Sequence, residues 1–209
     1  PALSSAQSYH NNLASSLGLE IIAIKNGHET VLGRLTGVQN IDALAARDQA
    51  RPKTDAFVGM LPPKLALMMV NIASGSKRVA RGSEEQQLEP FSRGTLTLLD
   101  PFCGTGVILQ EAALRGYNVY GTDLSEKMVD YSTANMAWAT EKYHLATSVR
   151  IHHGDAIETA WQQPIDAIAS ETYLGQPFSA PPSTEKLAQV RGICNDIITR
   201  FLQNLARQI

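Results

Sequence analysis

The 209-residue chain is short of several things at once. It has two cysteines, Cys103 and Cys194, far apart and without metal-ligand spacing, so neither a disulfide framework nor a zinc site is indicated. Charge of neither sign prevails: 18 Lys and Arg against 20 Asp and Glu leave a formal net charge of −2, and a pI near 6.2 carries no general electrostatic footprint for nucleic acid. No apolar run is long enough to span a membrane, and Pro1-Ala2-Leu3-Ser4-Ser5 lacks the basic and apolar regions of a signal peptide, which makes a cytoplasmic location the expectation. Internal repeats and long charge blocks are missing as well. With 44% hydrophobic residues, the composition is that of a soluble globular chain of one domain plus an appendage.

What the chain does have is organised around Leu98-Leu99-Asp100-Pro101-Phe102-Cys103-Gly104-Thr105-Gly106-Val107. The apolar, β-branched run from Thr95 to Leu99 predicts a buried strand, Gly104 and Gly106 predict a turn, and the apolar spacing from Val107 onward predicts a helix. Glycines let the main chain approach a ligand closely, and the following helix N-terminus offers unpaired N–H groups. Asp100 at the strand's carboxyl end is placed either to accept a hydrogen bond from a ligand amine or to fix the turn. A second βα unit follows, Asn118-Val119-Tyr120-Gly121-Thr122-Asp123, and its terminal acid lies about 23 residues after Asp100, the offset at which nucleotide-binding α/β folds set a carboxylate against ribose hydroxyls. A dinucleotide fingerprint wants a third small residue where this chain has Leu109, so the turn is a poor pyrophosphate cradle.

Taken in order, His10 to Leu17 is expected to form a short helix. Two strand-like runs, 19–24 and 29–35, flank Asn26-Gly27 and predict a hairpin turning there. Asn40 is positioned to cap a helix over Ile41 to Ala50, whose end carries Arg47-Asp48-x-x-Arg51-Pro52; by pattern alone these charges form a solvated face. Pro62 and Pro63 suit the first turn of an amphipathic helix that presents Leu65, Met68, Met69 and Ile72 to the core. Ser74 to Gly94 reads as a surface loop in which Lys77, Arg78 and Arg81 are either solvated or in reach of phosphate. A helix begins after Ser125, and a strand over 149–153 ends at Gly154-Asp155-Ala156. Asp155 is placed either to meet an adenine amino group or to stabilise its own turn. His152 and His153 fall on opposite faces of that strand and make a poor metal pair. Residues 165–169 form a fourth strand running into Ser170-Glu171-Thr172-Tyr173, next to the glycine turn across the topological switch point, and Ser183 or Thr184 caps a last helix.

In combination, Arg47-Asp48-x-x-Arg51-Pro52, Val58-Gly59-Met60-Leu61-Pro62-Pro63-Lys64-Leu65-Ala66, Asp100-Pro101-Phe102-Cys103-Gly104-Thr105-Gly106 and Gly121-Thr122-Asp123-Leu124-Ser125 resemble the THUMP-associated tRNA guanine-N2 methyltransferases, class I enzymes that use S-adenosylmethionine. The resemblance implies an α/β fold with a Rossmann-like class I methyltransferase sheet over residues 55–209 and an N-terminal hairpin and helix extension over residues 1–54. Such a sheet has seven strands; four can be counted before Ile209, so the domain is expected to be truncated, and no THUMP module precedes it to help hold tRNA. The resemblance further implies a cofactor site in which Phe57, Val58, Gly59 and Met60 join Asp100, Phe102, Cys103, Gly104, Thr105 and Gly106 around the amino acid moiety of S-adenosylmethionine. Asp123 and Leu124 meet the ribose in that scheme, and Asp155 and Ala156 the adenine.

Relatives that methylate an exocyclic amine carry Asp/Asn/Ser-Pro-Pro-Tyr/Phe where this chain has Ser170-Glu171-Thr172-Tyr173. Tyr173 keeps the stacking ring and Ser170 or Glu171 supplies the acceptor, while both prolines are gone. The implied reaction is direct in-line transfer to guanine N2 of tRNA, without metal or covalent enzyme intermediate, leaving S-adenosylhomocysteine and requiring an exposed or flipped-out base. A DNA amino-methyltransferase, or a non-catalytic module that binds S-adenosylmethionine for a partner, remain the alternatives.

Overall fold

A computed structural model describes residues 3–13, 15, 18–55, 60–75, 96–161 and 164–208. The chain divides into two compact units, 1–50 and 51–209.

In the first unit, helix α1 (Ser5–His10) opens with a capping box, the Ser4 side chain accepting from the Gln7 N–H and the Gln7 side chain accepting from the Ser4 N–H. The helix therefore lies earlier than His10–Leu17. The Ser-x-x-Gln cap decides where it starts, and Asn12, at φ +53°, lies beyond its C-terminal end. Strands β1 (Ile21–Asn26) and β2 (Glu29–Arg34) form the expected hairpin, but its turn is Gly27-His28 rather than Asn26-Gly27, because Asn26 pairs with Glu29. Gly27 has φ +61° and His28 no positive φ, the pattern of a type II′ turn with glycine first. Helix α2 (Ile41–Gln49) is capped as predicted, Asn40 Oδ1 accepting from Ala43 N–H at 2.9 Å.

The second unit is built on a four-stranded parallel sheet: β3 (Thr97–Asp100), β4 (Asn118–Asp123), β5 (Val149–His153) and β6 (Ala167–Ile168), in the order β5-β4-β3-β6. Leu98 and Leu99 are both fully buried, each on a different face, as the period of two in a doubly covered strand requires. Leu98 and Val119 pack with α3 (Pro63–Gly75), α4 (Val107–Leu114) and Met136 of α5 (Glu126–Tyr143); Leu99 and Tyr120 pack with Trp161 and with Phe201 and Leu205 of α6 (Thr184–Leu205). The result is a three-layer α/β fold. The chain passes from β3 to β4 to β5 and returns to the other side of β3 at β6, so the switch point lies between β3 and β6. The strand expected over 165–169 pairs only at Ala167–Ile168, with Asp166 N–H and Ala169 N–H extending the ladder to Thr97 and Leu99.

Helix α3 starts at Pro63, where the missing N–H costs nothing. Its buried face is Ala66 and Val70, with Met69 and Ala73 partly covered; Leu65, Met68 and Ile72, expected in the core, are exposed, Ile72 by 76%. Close packing of α3 on α4 selects the stripe with the small residues, which lets the backbones approach. The charged run before this helix is not a solvated face throughout, since Arg51 is only 4% exposed. The expected loop from Ser74 to Gly94 begins inside α3, and Lys77, Arg78, Arg81 and Thr95 lie outside the described residues. Among the described residues, no helix is long and apolar enough to cross a membrane.

Candidate cofactor and substrate site

The turn after β3 is fixed by its own backbone. Cys103 N–H donates to Thr122 O at 2.9 Å and Gly106 N–H to Cys103 O at 2.8 Å, while Gly104 and Gly106 adopt φ of +51° and +83°. The two glycines serve different ends. A Cβ on Gly106 would meet Ser132 Cβ at 3.1 Å, so this glycine permits α4 to pack on α5; among the described residues, a Cβ on Gly104 would meet nothing within 4 Å. Gly104 borders a cavity of about 690 Å³ at the carboxyl ends of the strands.

That cavity gathers most of the residues singled out in the sequence. Asp100, Phe102, Cys103, Gly104 and Thr105 come from the β3–α4 turn, Asp123 and Leu124 from the end of β4, Asp155 and Ala156 from the end of β5, and Glu171 and Tyr173 from the loop after β6. Met60 closes one side, its sulfur 3.7 Å from Arg51 Nη2. Two predicted residues do not line it: Gly106 lies behind the turn, and the Ser170 hydroxyl is engaged with Asp100. Phe57, Val58 and Gly59 lie outside the described residues.

Three carboxylates stand at the ends of three strands. Asp123 accepts from Gly104 N–H at 2.8 Å and from Ser125 N–H at 2.9 Å, and each of its oxygens keeps a further lone pair. Asp155 accepts from Ile157 N–H at 3.1 Å through Oδ1. Asp100 is 1% exposed and accepts from Ser170 Oγ at 2.7 Å and from Phe102 N–H at 3.3 Å. Burial raises its carboxyl from the ordinary 3.8 to about 7; the two hydrogen bonds oppose this, and the charges of Asp123 and Glu171 add to it. Burial, with Asp100 and Asp123 nearby, also pushes the Cys103 thiol well up, which makes it a small turn residue and no nucleophile.

Sequence reasoning missed three contributors. Asn135, fully buried on α5, donates to Lys53 O at 2.9 Å and to Thr105 O at 2.8 Å and accepts from Lys53 N–H at 2.9 Å, tying residues 51–55 to the glycine turn. Its signal was available: Met128, Ser132, Asn135, Met136 and Ala139 form the one buried stripe of α5, with two polar residues inside it. Ile193 and Ile197 of α6 complete the cavity wall, and their helical spacing alone reads as core.

A cationic ligand that carries a nucleoside suits this donor set. A buried, poorly solvated carboxyl at Asp100 gains from an incoming ammonium, Asp123 retains acceptor capacity for hydroxyls, and Gly104 leaves open the space a Cβ would fill. Comparison with known proteins points the same way. Residues 98–195 match a family described as a methyltransferase domain. The tRNA (guanine(10)-N2)-dimethyltransferase of Methanothermobacter thermautotrophicus is 34% identical over 141 residues, 66% of this chain and 35% of the relative. The protein of that name from Pyrococcus abyssi is 30% identical over 128 residues, 61% of this chain and 32% of the relative. The chain thus spans about a third of the length of these curated relatives. A solved structure described as a possible methylase from Clostridium difficile 630 shares the fold at a TM-score of 0.51 and 15% identity, over 97% of this chain and 55% of the other. Domain match, relatives and fold agree: residues 98–195 match a methyltransferase domain, the chain is similar to tRNA (guanine(10)-N2)-dimethyltransferases over about a third of their length, and it shares the fold of a possible methylase.

Proposed function

We propose that the chain carries the cofactor site and target-amine loop of a methyltransferase acting on guanine N2 of tRNA. The observation that carries this reading is the shared cavity: Glu171 and Tyr173 line the same space as Asp100, Asp123 and Asp155. A bound S-adenosylmethionine supplies the electrophilic methyl group. Around it, Met60, Asp100, Phe102, Cys103, Gly104 and Thr105 hold the amino acid end, with Gly106 shaping the turn. Asp123 and Leu124 receive the ribose, and Asp155 and Ala156 the adenine.

Glu171 is the acceptor for the exocyclic amine. Its carboxylate would take a hydrogen bond from N2–H, keep the nitrogen lone pair aimed across the cavity, and take up the proton that nitrogen loses as the N–C bond forms and the methyl–sulfur bond breaks to leave S-adenosylhomocysteine. Tyr173, 39% exposed at the mouth, stacks on the extruded base. Both curated relatives named above are tRNA guanine-N2 enzymes, which favours tRNA over DNA as the polymer. A THUMP-like module elsewhere in the protein, or in a partner, is the natural supplier of tRNA affinity, since this chain carries a net charge of only −2. The proposed setting is the cytoplasm.

The test is methyl transfer from labelled S-adenosylmethionine to bulk tRNA by the full-length protein, followed by nucleoside analysis. Label in N2-methylated guanosine is the expected result. Label in another nucleoside, or only in DNA, overturns the substrate. With cofactor bound and no transfer to any nucleic acid, the reading as an enzyme falls. Glu171→Gln is expected to bind S-adenosylhomocysteine as the parent does and to turn over at least about tenfold more slowly.

A further inference from the structure

The loop that bears Glu171 and Tyr173 is held at two points. At its start, Ser170 Oγ donates to Asp100 Oδ1 at 2.7 Å. Further on, Gly175, at φ +93°, lies so close to α6 that a Cβ there would meet Val190 Cγ1 at 2.6 Å. Among the described residues, the bond to Asp100 is the one hydrogen bond made by residues 170–182. The two residues proposed to meet the base therefore sit between a steric brace and a single polar tie.

We propose that Ser170 is a positioning residue: it fastens the target-amine loop to the cofactor turn through Asp100, so that a ligand ammonium in the turn orders the loop. This rests on the cofactor reading above. It gives Ser170 a different task from accepting the target amine, because its side chain does not line the cavity.

The coupling follows from the charge of the acceptor. Asp100 is buried, and the charged groups that bear on it are both acidic, Asp123 at the end of β4 and Glu171 on the loop itself, so near neutral pH it is ionised only in part. An arriving ammonium favours the carboxylate. A hydroxyl bound to a carboxylate is held by a shorter, roughly twofold stronger bond than one bound to a neutral carboxyl. The turn is thus expected to fill before the loop sets, and the base to be received afterwards.

Amide hydrogen exchange of the peptide spanning residues 171–177, with and without saturating S-adenosylhomocysteine, tests this on the parent, Ser170→Ala and Ser170→Thr, with ligand affinity measured by calorimetry. The parent is expected to gain about tenfold protection on binding. Ser170→Ala is expected to gain less than about twofold protection and, by linkage, to bind about five- to tenfold more weakly than the parent, and Ser170→Thr, which keeps the donor, to restore both. Full ligand-induced protection in Ser170→Ala overturns the proposal. So does a loss of affinity beyond about tenfold in that variant, which would make Ser170 a binding residue. No binding by the parent overturns the cofactor reading itself, and this proposal with it.

Discussion

Asp123 accepts a hydrogen bond from Gly104 N–H at 2.8 Å, which joins the carboxyl end of one strand to the ligand turn of its neighbour. The same carboxylate accepts from Ser125 N–H ahead of α5, so one side chain sets both the turn and the entry to the next helix. Asp123→Ala is expected to weaken S-adenosylhomocysteine binding at least about tenfold and to cost roughly 1–2 kcal/mol of stability, read by calorimetry and urea unfolding. Unchanged affinity would remove Asp123 from the site.

Gly104 and Gly106 differ in a way that substitution separates. Gly106→Ala forces a positive φ and a contact with Ser132 and is expected to destabilise by about 2 kcal/mol or more. Gly104→Ala meets open space and is expected to cost about 1 kcal/mol, while its methyl enters the cavity and lowers ligand affinity. Equal stability losses in the two variants would contradict this assignment.

Asp100 predicts a pH dependence with a definite sign. Its carboxyl rises from 3.8 when unfolded to about 7 when folded, so between those values the native chain holds more protons than the unfolded one. Stability from this group is present at the acid end of that window and is lost as pH rises through 7, by an amount on the order of 4 kcal/mol. Asp100→Asn, which keeps an acceptor for Ser170 without the charge, is expected to flatten the slope of unfolding free energy between about pH 4 and pH 7. A parent chain more stable at the alkaline end by way of this residue would sink the assignment.

Gln110 of α4 is 1% exposed, and among the described residues neither its Oε1 nor its Nε2 has a hydrogen-bond partner. Gln110→Met keeps the length and removes two buried polar atoms. It is expected to stabilise the chain by about 1–3 kcal/mol in urea unfolding; destabilisation would show that the amide is satisfied in solution.

Much of this fold is legible wherever one strong local rule acts without competition. The strand, turn and helix around Asp100–Gly106, the Asn40 and Ser183 caps and the prolines opening α3 are of this kind, because each depends on residues adjacent in the chain. Reading failed where two local rules competed or where a distant surface chose. Asn26-Gly27 is a good turn pair and Gly27-His28 a weaker one, yet the cross-strand register of Ile24 with Val31 settles the turn one residue later. Leu65, Met68 and Ile72 form as good an apolar stripe as Ala66, Met69, Val70 and Ala73; α4 selects the second because small side chains permit close approach.

The site divides along the same line. Which residues line the open end of the sheet was largely determined by the chain itself, since a carboxylate at a strand end beside a glycine turn faces the open end of a parallel sheet. How they are connected was decided only by tertiary structure. Asp100 and Ser170 are seventy residues apart and meet because β6 returns beside β3, and Asn135 reaches Lys53 and Thr105 because α5 packs over the turn. Hydrogen bonds between distant segments leave no period in the sequence, so the tie between the glycine turn and the loop after β6 becomes visible only when the sheet brings its two ends together.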